Sequence, residues 1–367
     1  MFDRRFSQYF DWGILIFTIG LGAIGLLTLY SAVTSGAPCY QSILYVKQLI
    51  WYCIGTLFVA LSLIFDYKLL DRWAYAIYTI CIVLLICVLV GGKYVGGAKR
   101  WLSFAFISIQ PSEMVKVAII IVLAKYYSRH ANTKGFSLRY LVKPMLLTLI
   151  PFILIVMQPD LGTALLIVLI AGLMTVFVKI EKKTFRYLVL VCALVIPLVW
   201  IFLKDYQKQR ILSFLDPGSD SLGAGYHLIQ SKIAIGSGAV FGKGFKKGTQ
   251  NALSFLPEQH TDFIFSVMAE EWGFVGSIVL LFLFLILIIW GLNIAYACRD
   301  NFGTILCVGI SVMLTLQVFI NIGMVMGLMP VVGIPLPLIS YGGSSIVTVM
   351  LCIGILMNVS MRRFVFE

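Results

Sequence analysis

The chain reads as an all-α polytopic membrane protein of about ten transmembrane helices, and three observations predict this. Of its 367 residues 60% are hydrophobic and only 12% charged, with a mean hydropathy of +0.99, more apolar surface than a soluble domain can hide. Apolar runs recur at close to the ~20 residues that cross a bilayer core ~30 Å thick. Lys and Arg collect in alternate connections, as they do when one side of a membrane retains positive charge.

The runs lie near 11–33, 44–65, 72–91, 113–128, 143–157, 161–178, 186–203, 272–297, 303–326 and 341–361. Those at 113–128 and 143–157 are short and bounded by polar residues. An inside N-terminus puts Arg4, Arg5, Lys68, Arg72, Lys125, Arg129, Lys134, Arg139 and Lys143 in the cytoplasm. Lys179, Lys182, Lys183, Arg186, Arg299, Arg362 and Arg363 follow, so both termini are cytoplasmic in this reading. This bias accounts for most of the net charge of +12 without a nucleic-acid partner. The first run is too long for a cleavable signal peptide. Seven of the eight cysteines lie in or beside spans, Cys39 alone clearly outside, and no Cys-x-x-Cys or His-Cys cluster announces zinc or iron–sulfur. The whole chain, 1–367, is one integral membrane domain.

Two outside segments break the charge rule. One runs from Gly91 to Ser112 with Lys93, Lys99 and Arg100; the other, 204–271, joins spans seven and eight. Loops this long are usually functional or disordered, and the second keeps too many apolar residues for disorder. Tyr226, Ile229 and Ile233 recur at helical spacing and predict a short helix at the membrane surface. Gly236, Gly238, Gly242, Gly244 and Gly248 predict a close-packing stretch. A phosphate-loop reading fails, because Ser237 and Gly244 stand where that pattern needs Gly and Ser or Thr.

Polar residues gather at the outward ends. Gln110-Pro111-Ser112-Glu113, Gln158-Pro159-Asp160 and Leu256-Pro257-Glu258 each open an inward-running helix. Helix capping explains Asp160 and Glu258 as well as function does, yet three helix N-termini in one layer would also attract an anion. Lys116 lies three residues past Glu113 on the same helix face. An intramembrane Lys costs ~2.5–3.5 kcal/mol and marks either a self-neutralising pair or a cation offered to an anionic substrate. Asp262 is followed by Ser266 and Glu270 at steps of four. One unbroken helix from there through 297 would run about 54 Å, so a break is expected near Trp272-Gly273, leaving Asp262 by an outer piece. His227 and His260 have no third ligand at metal-like spacing, although a divalent cation shared between carboxylates and substrate stays open. The stretch Met329 to Ser345, with Pro330, Pro335 and Pro337, predicts a stiff re-entrant turn buried in protein. Helix packing by its small residues is the bland alternative.

Taken in order, Gly97-Ala98-Lys99-Arg100-Trp101-Leu102, Gln110 to Glu113, Gln158 to Thr163, Leu256-Pro257-Glu258 with Thr261-Asp262-Phe263, Glu270-Glu271 before Gly273-Phe274, and Pro335 to Ser345 resemble the SEDS family (shape, elongation, division, sporulation) across nearly the whole chain. Gly242 to Phe245, Gly248-Thr249-Gln250 and Asn321 to Met324 are similar to its elongation branch. The resemblance implies a peptidoglycan glycosyltransferase that polymerises lipid II outside the cytoplasmic membrane, with a class B penicillin-binding protein as partner, and puts the essential aspartate at Asp262. A diphosphate is already a good leaving group, so such an enzyme needs a base for the acceptor hydroxyl and cations for the diphosphate, and it inverts the anomeric centre. Asp262 suits the first task. Lys116, Arg100, Lys47, Arg210 and Lys243 suit the second, with Glu113, Asp160, Ser340 and Ser344 lining the substrate. A lipid II flippase and a non-catalytic scaffold are the rival readings. The absence of an inverted repeat and the outward placement of the polar residues disfavour the flippase, and a scaffold leaves Asp262 and Lys116 unexplained.

Overall fold

A computed structural model describes residues 10–35, 42–95, 98–104, 107–130, 135–202, 205–219, 223–253 and 260–363. Arg4, Arg5, Cys39, Lys134, Lys204 and the Leu256-Pro257-Glu258 motif lie outside them. Thirteen helices are present among the described residues: α1 (Trp12–Thr34), α2 (Ser42–Ile64), α3 (Lys68–Gly91), α4 (Pro111–Arg129), α5 (Leu138–Met157), α6 (Leu161–Phe177), α7 (Lys182–Phe202), α8 (Asp205–Leu215), α9 (Ala224–Ser237), α10 (Thr249–Ala252), α11 (Ile264–Ala297), α12 (Asn301–Val325) and α13 (Gly343–Arg362).

Seven of these, α1, α2, α3, α5, α11, α12 and α13, are long and apolar enough to cross a membrane. The remaining expected spans coincide with α4, α6 and α7. α6 is apolar but only 17 residues long, and α4 carries Glu113, Lys116, Lys125 and Arg129. α5 begins at Leu138, earlier than the apolar run, because Pro144 and Pro151 sit inside the helix instead of ending it.

Burial explains the odd composition of α4. From Pro111 to Tyr127 every residue but Met114 is buried. The buried share of the span is 83% for both α12 and α13, but 17% for α2 and 28% for α3. α4, α12 and α13 therefore form the middle of the bundle, with α4 packed on α3, α12 and α6, and α13 packed on α2. The outer helices turn Ile19, Ile80, Val90, Phe274 and Phe282 outward. In water that apolar area would be unfavourable at ~25 cal/mol per Å²; against lipid tails it is not.

The segment after α3 corrects the all-α expectation. Strands β1 (Lys93–Val95), β2 (Ala98–Phe104) and β3 (Ile107–Ile109) form an antiparallel sheet in the order β1-β2-β3, with Leu102 opposite Ile109 and Ser103 opposite Ser108. Lys99-Arg100-Trp101-Leu102-Ser103-Phe104 puts two polar residues before two apolar ones instead of alternating, so the period-two signal of a strand is weak there.

The long loop is ordered as expected around 226–233. α9 packs Leu228, Ser231 and Ala234 inward while Ile229 and Ile233 stay exposed. It docks on α11 and α12: the Ser231 and Ser266 hydroxyls are 2.8 Å apart, and Ser231 Oγ donates to Val325 O at 2.7 Å. α11 breaks where expected. Gly273 takes φ 66°, ψ −161°, and Phe274 N and Val275 N donate to Ala239 O and Val240 O instead of to their own helix. Lys243 N and Gly244 N reach Glu270 O and Glu271 O at 3.0 Å each. A Cβ on Gly273 or Gly242 would run into the other's backbone, and both have positive φ.

Candidate functional site

The site forms around the turn between α12 and α13. Residues 329–342 have no regular helix or strand, yet Ile334, Leu336, Leu338, Ile339 and Ser340 are buried, so their polar backbone needs partners. α2 supplies two: Gln48, wholly buried, donates through Nε2 to Ser340 O at 3.2 Å, and the Tyr52 hydroxyl donates to Leu338 O. Gly342 N donates to Gln48 Oε1 at 3.4 Å.

Asp262 lies in the short turn before α11, partly exposed. Phe263, not Asp262, stands at the N-cap of that helix, so helix capping does not account for Asp262. Three successive carbonyls of its loop are gripped from the re-entrant side. His260 O accepts from Tyr341 N at 2.9 Å, Thr261 O from Ser340 Oγ at 2.6 Å, and Asp262 O from Asn321 Nδ2 at 3.0 Å. Ser340 Oγ in turn accepts from Leu336 N at 2.8 Å. The carboxylate lies over Gly333: a Cβ there would stand 3.2 Å from Asp262 Oδ2. Gly333 has φ +73°, so glycine meets both the conformation and the close approach.

The same turn reaches the start of α4. Ser344 Oγ accepts from Gln110 N at 3.0 Å, and Gln110 Nε2 lies 3.4 Å from Asp160 Oδ2. Asp160 caps α6, accepting from Thr163 N at 3.3 Å and Thr163 Oγ1 at 3.0 Å, so its capping role is real. Arg100 of β2 leans on this loop through Pro159 O and Gln158 O, with Nη1 3.9 Å from Asp160 Oδ1, and keeps 30% of its side chain exposed. One turn into α4, Lys116 Nζ and Glu113 Oε1 pair at 2.8 Å, with side-chain exposures of 1% and 4%. Glu113 Oε2 and Ser112 Oγ are buried with no hydrogen-bond partner.

Other expected cations are placed differently. Lys243 Nζ is committed to Glu270 Oε1 at 2.7 Å. That oxygen also accepts from Thr249 N at 2.8 Å, Thr249 Oγ1 at 3.0 Å and Gln250 N at 3.2 Å. With Glu270 wholly buried, Lys243 fastens the loop to the kinked helix. Glu271 accepts from Ser31 of α1. Lys47 is exposed on α2, next to the Gln48 that holds the turn. Arg210, half-buried, is on α8, which packs on the 217–219 turn and α9. No group of three His, Cys, Asp or Glu side chains among the described residues could hold a metal. Sequence reading singled out the acids and serines but gave no site role to Gln48 and Asn321, buried amides with partners 292 residues away and 59 residues away.

The family described as cell cycle protein, with FtsW, RodA and SpoVE as its namesakes, matches residues 11–364. The peptidoglycan glycosyltransferase MrdB of Escherichia coli (strain K12) is 45% identical over 298 residues, covering 81% of this chain and 80% of its own. The peptidoglycan glycosyltransferase RodA of Treponema pallidum (strain Nichols) is 33% identical, covering 96% of this chain and 98% of its own. Among solved structures, one described as "Structural coordination of polymerization and crosslinking by a peptidoglycan synthase complex" superposes with TM-score 0.82 at 31% identity, covering 97% of this chain and 98% of the other. The rod shape determining protein RodA of Thermus thermophilus gives 0.73 at 29% identity, covering 97% and 98%.

Proposed function

The chain belongs to the FtsW, RodA and SpoVE family of cell cycle proteins, the SEDS family, and on that premise we propose how its outward residues divide the work. It is a multi-pass membrane peptidoglycan glycosyltransferase of cell elongation. Its donor and acceptor are lipid II and the growing strand. The chain crosses the cytoplasmic membrane ten times with both termini inside, and loop 204–271 faces out.

Asp262 is the general base. The observation that carries this is the seating of its carboxylate over Gly333, on a loop whose three carbonyls at 260–262 are each held. A base must be placed within ~2.6–3.2 Å of the proton it removes, and a loop so held keeps that distance from one turnover to the next. Asp262 takes the proton of the acceptor hydroxyl as its oxygen attacks the anomeric carbon. The bond to the undecaprenyl diphosphate breaks, and the diphosphate departs with the electron pair. Arg100 and Lys47 supply positive charge at the rim, and Lys116 supplies it from within when the Glu113 pair yields. Asp160 and Ser344 shape the rim through Gln110. The apolar exterior lets the polyprenyl tail stay in lipid. A class B penicillin-binding protein is the partner that crosslinks the product, a reading supported by the likeness to a chain of a peptidoglycan synthase complex.

The test is Asp262→Asn, assayed with purified protein on lipid II beside a partner lacking glycosyltransferase activity. A general base contributes ~10²–10⁴-fold, so polymer should fall by that factor while thermal stability and partner association persist. Equal polymer from both proteins removes Asp262 from the mechanism. Absence of polymer from the wild type in an intact complex favours the flippase.

A further inference from the structure

Asn321 sits one turn before the outer end of α12 and is wholly buried. Its amide nitrogen faces two carbonyls on two irregular segments: Asp262 O at 3.0 Å and Ile334 O at 2.7 Å. Both acceptors need an N–H, so the nitrogen has one role here, and its two hydrogens match the two partners. Neither acceptor belongs to a helix or strand. The amide thus ties the Asp262 loop to the segment bearing Gly333, the residue beneath the carboxylate, and anchors both to a central helix.

We propose that Asn321 is a positioning residue for glycosyl transfer: it sets where the Asp262 carboxylate stands relative to Gly333, and Ser340 supports it through Thr261 O. This rests on the reading of Asp262 as the base. Asn321 touches neither substrate nor reacting atoms. It acts by removing freedom from the loop that carries the base. Misplacement of a reacting group by ~1 Å can cost ~10²-fold in rate, and a loop held at 260 and 261 but released at 262 has that freedom.

Leucine has the branching and heavy-atom count of asparagine with slightly more bulk and no N–H, so Asn321→Leu keeps the site filled and deletes both bonds. In full-length protein with its transpeptidase partner, we expect Asn321→Leu and Asn321→Ala to lower kcat on lipid II ~10–100-fold with KM changed by less than ~3-fold. A space-filling role predicts that leucine retains the wild-type kcat. In the Asp262→Asn background the residual rate should not fall further, because residues that act as a unit are non-additive. Wild-type kcat in Asn321→Leu, a raised KM at unchanged kcat, or the same fold-loss with and without Asp262 would each overturn the proposal. If Asp262→Asn is silent and Asn321→Leu is fully active, only the positioning role fails. If Asp262→Asn is fully active, the base reading fails and takes this one with it. Should both Asn321 variants fail to fold, Ser340→Ala removes the grip on Thr261 O, and it should lower kcat several-fold without raising KM; full kcat there also overturns the proposal.

Discussion

The Glu113–Lys116 pair lets structural and functional uses of one charge pair be separated. Its two side chains are 4% and 1% exposed and meet at 2.8 Å in a helix whose neighbours α3, α6 and α12 enclose it. Removing one partner from a buried pair leaves an uncompensated charge, which costs ~3–5 kcal/mol, whereas replacing both by apolar groups of similar volume is often neutral or stabilising by ~1–4 kcal/mol. Lys116→Met should therefore destabilise by ~3–5 kcal/mol, and Glu113→Leu/Lys116→Met should return to wild-type stability or above it. Thermal unfolding in detergent reads this series. Polymerisation of lipid II by the same samples reads the other axis. If the charge serves the diphosphate, the double variant is as stable as the wild type and makes no polymer. A double variant that regains both stability and polymer refutes this reasoning, because the pair would then serve only to neutralise itself. A Lys116→Met protein that melts with the wild type refutes the energetic half.

The remaining predictions concern the frame. Gly273→Ala places a Cβ against the Gly242 backbone at φ +66° and should lower the melting temperature and polymer yield together; wild-type melting would show that the break tolerates side chains. Lys243→Met strands the wholly buried Glu270, so the 238–250 stretch should be cut by protease faster than in the wild type; unchanged cleavage rates would mean that the loop is held without the ion pair. For orientation, a cysteine at the exposed Lys247 in a cysteine-free background should react with an impermeant thiol reagent from outside, and one at the exposed Lys183 should not; the opposite labelling inverts the topology.

Much of the fold was legible because its signals are local. Apolar runs mark spans, and the excess length from Asp262 onward demanded a break that Gly273 supplies. α4 was harder. Its Glu, two Lys and Arg look like poor membrane material until α3, α6, α12 and α13 surround it. The β1-β2-β3 sheet was missed because β2 lacks a clean apolar–polar alternation, with Lys99-Arg100 and Trp101-Leu102 adjacent, and because composition had already argued for helices throughout. At the site, acids and cations stand out by their expense in a bilayer, so Asp262, Glu113 and Lys116 were singled out. What their neighbours do was not legible. Lys243 and Arg100 look alike as loop cations, yet one is locked on buried Glu270 and the other leans half-open on the 158–160 loop.

That contrast bears on why this turn carries amides and hydroxyls at its contacts. If Asp262 is the base, a charged side chain at Asn321 or Ser340, which hold its loop, would add a second ion near it and change the field in which it works. A neutral amide holds backbone by hydrogen bonds worth ~0.5–1.5 kcal/mol each and adds no net charge. Asn321, Gln48 and Ser340 together make six such bonds to or from residues 261–262 and 334–342, which offset part of the ~1–2 kcal/mol per residue of backbone entropy lost where they grip. On the proposal that Asp262 is the base, its placement is achieved with neutral groups, and the charges at the rim and in α4 are left to act on the diphosphate. Asn321→Asp tests this division. It keeps the side chain's shape but sets a carboxylate, in a wholly buried site, against the two carbonyls that Asn321 now holds, so it should melt lower and lose more polymerising activity than Asn321→Leu. Equal activity of the Asp and Leu variants would show that charge near the base is tolerated and that only the lost N–H bonds matter.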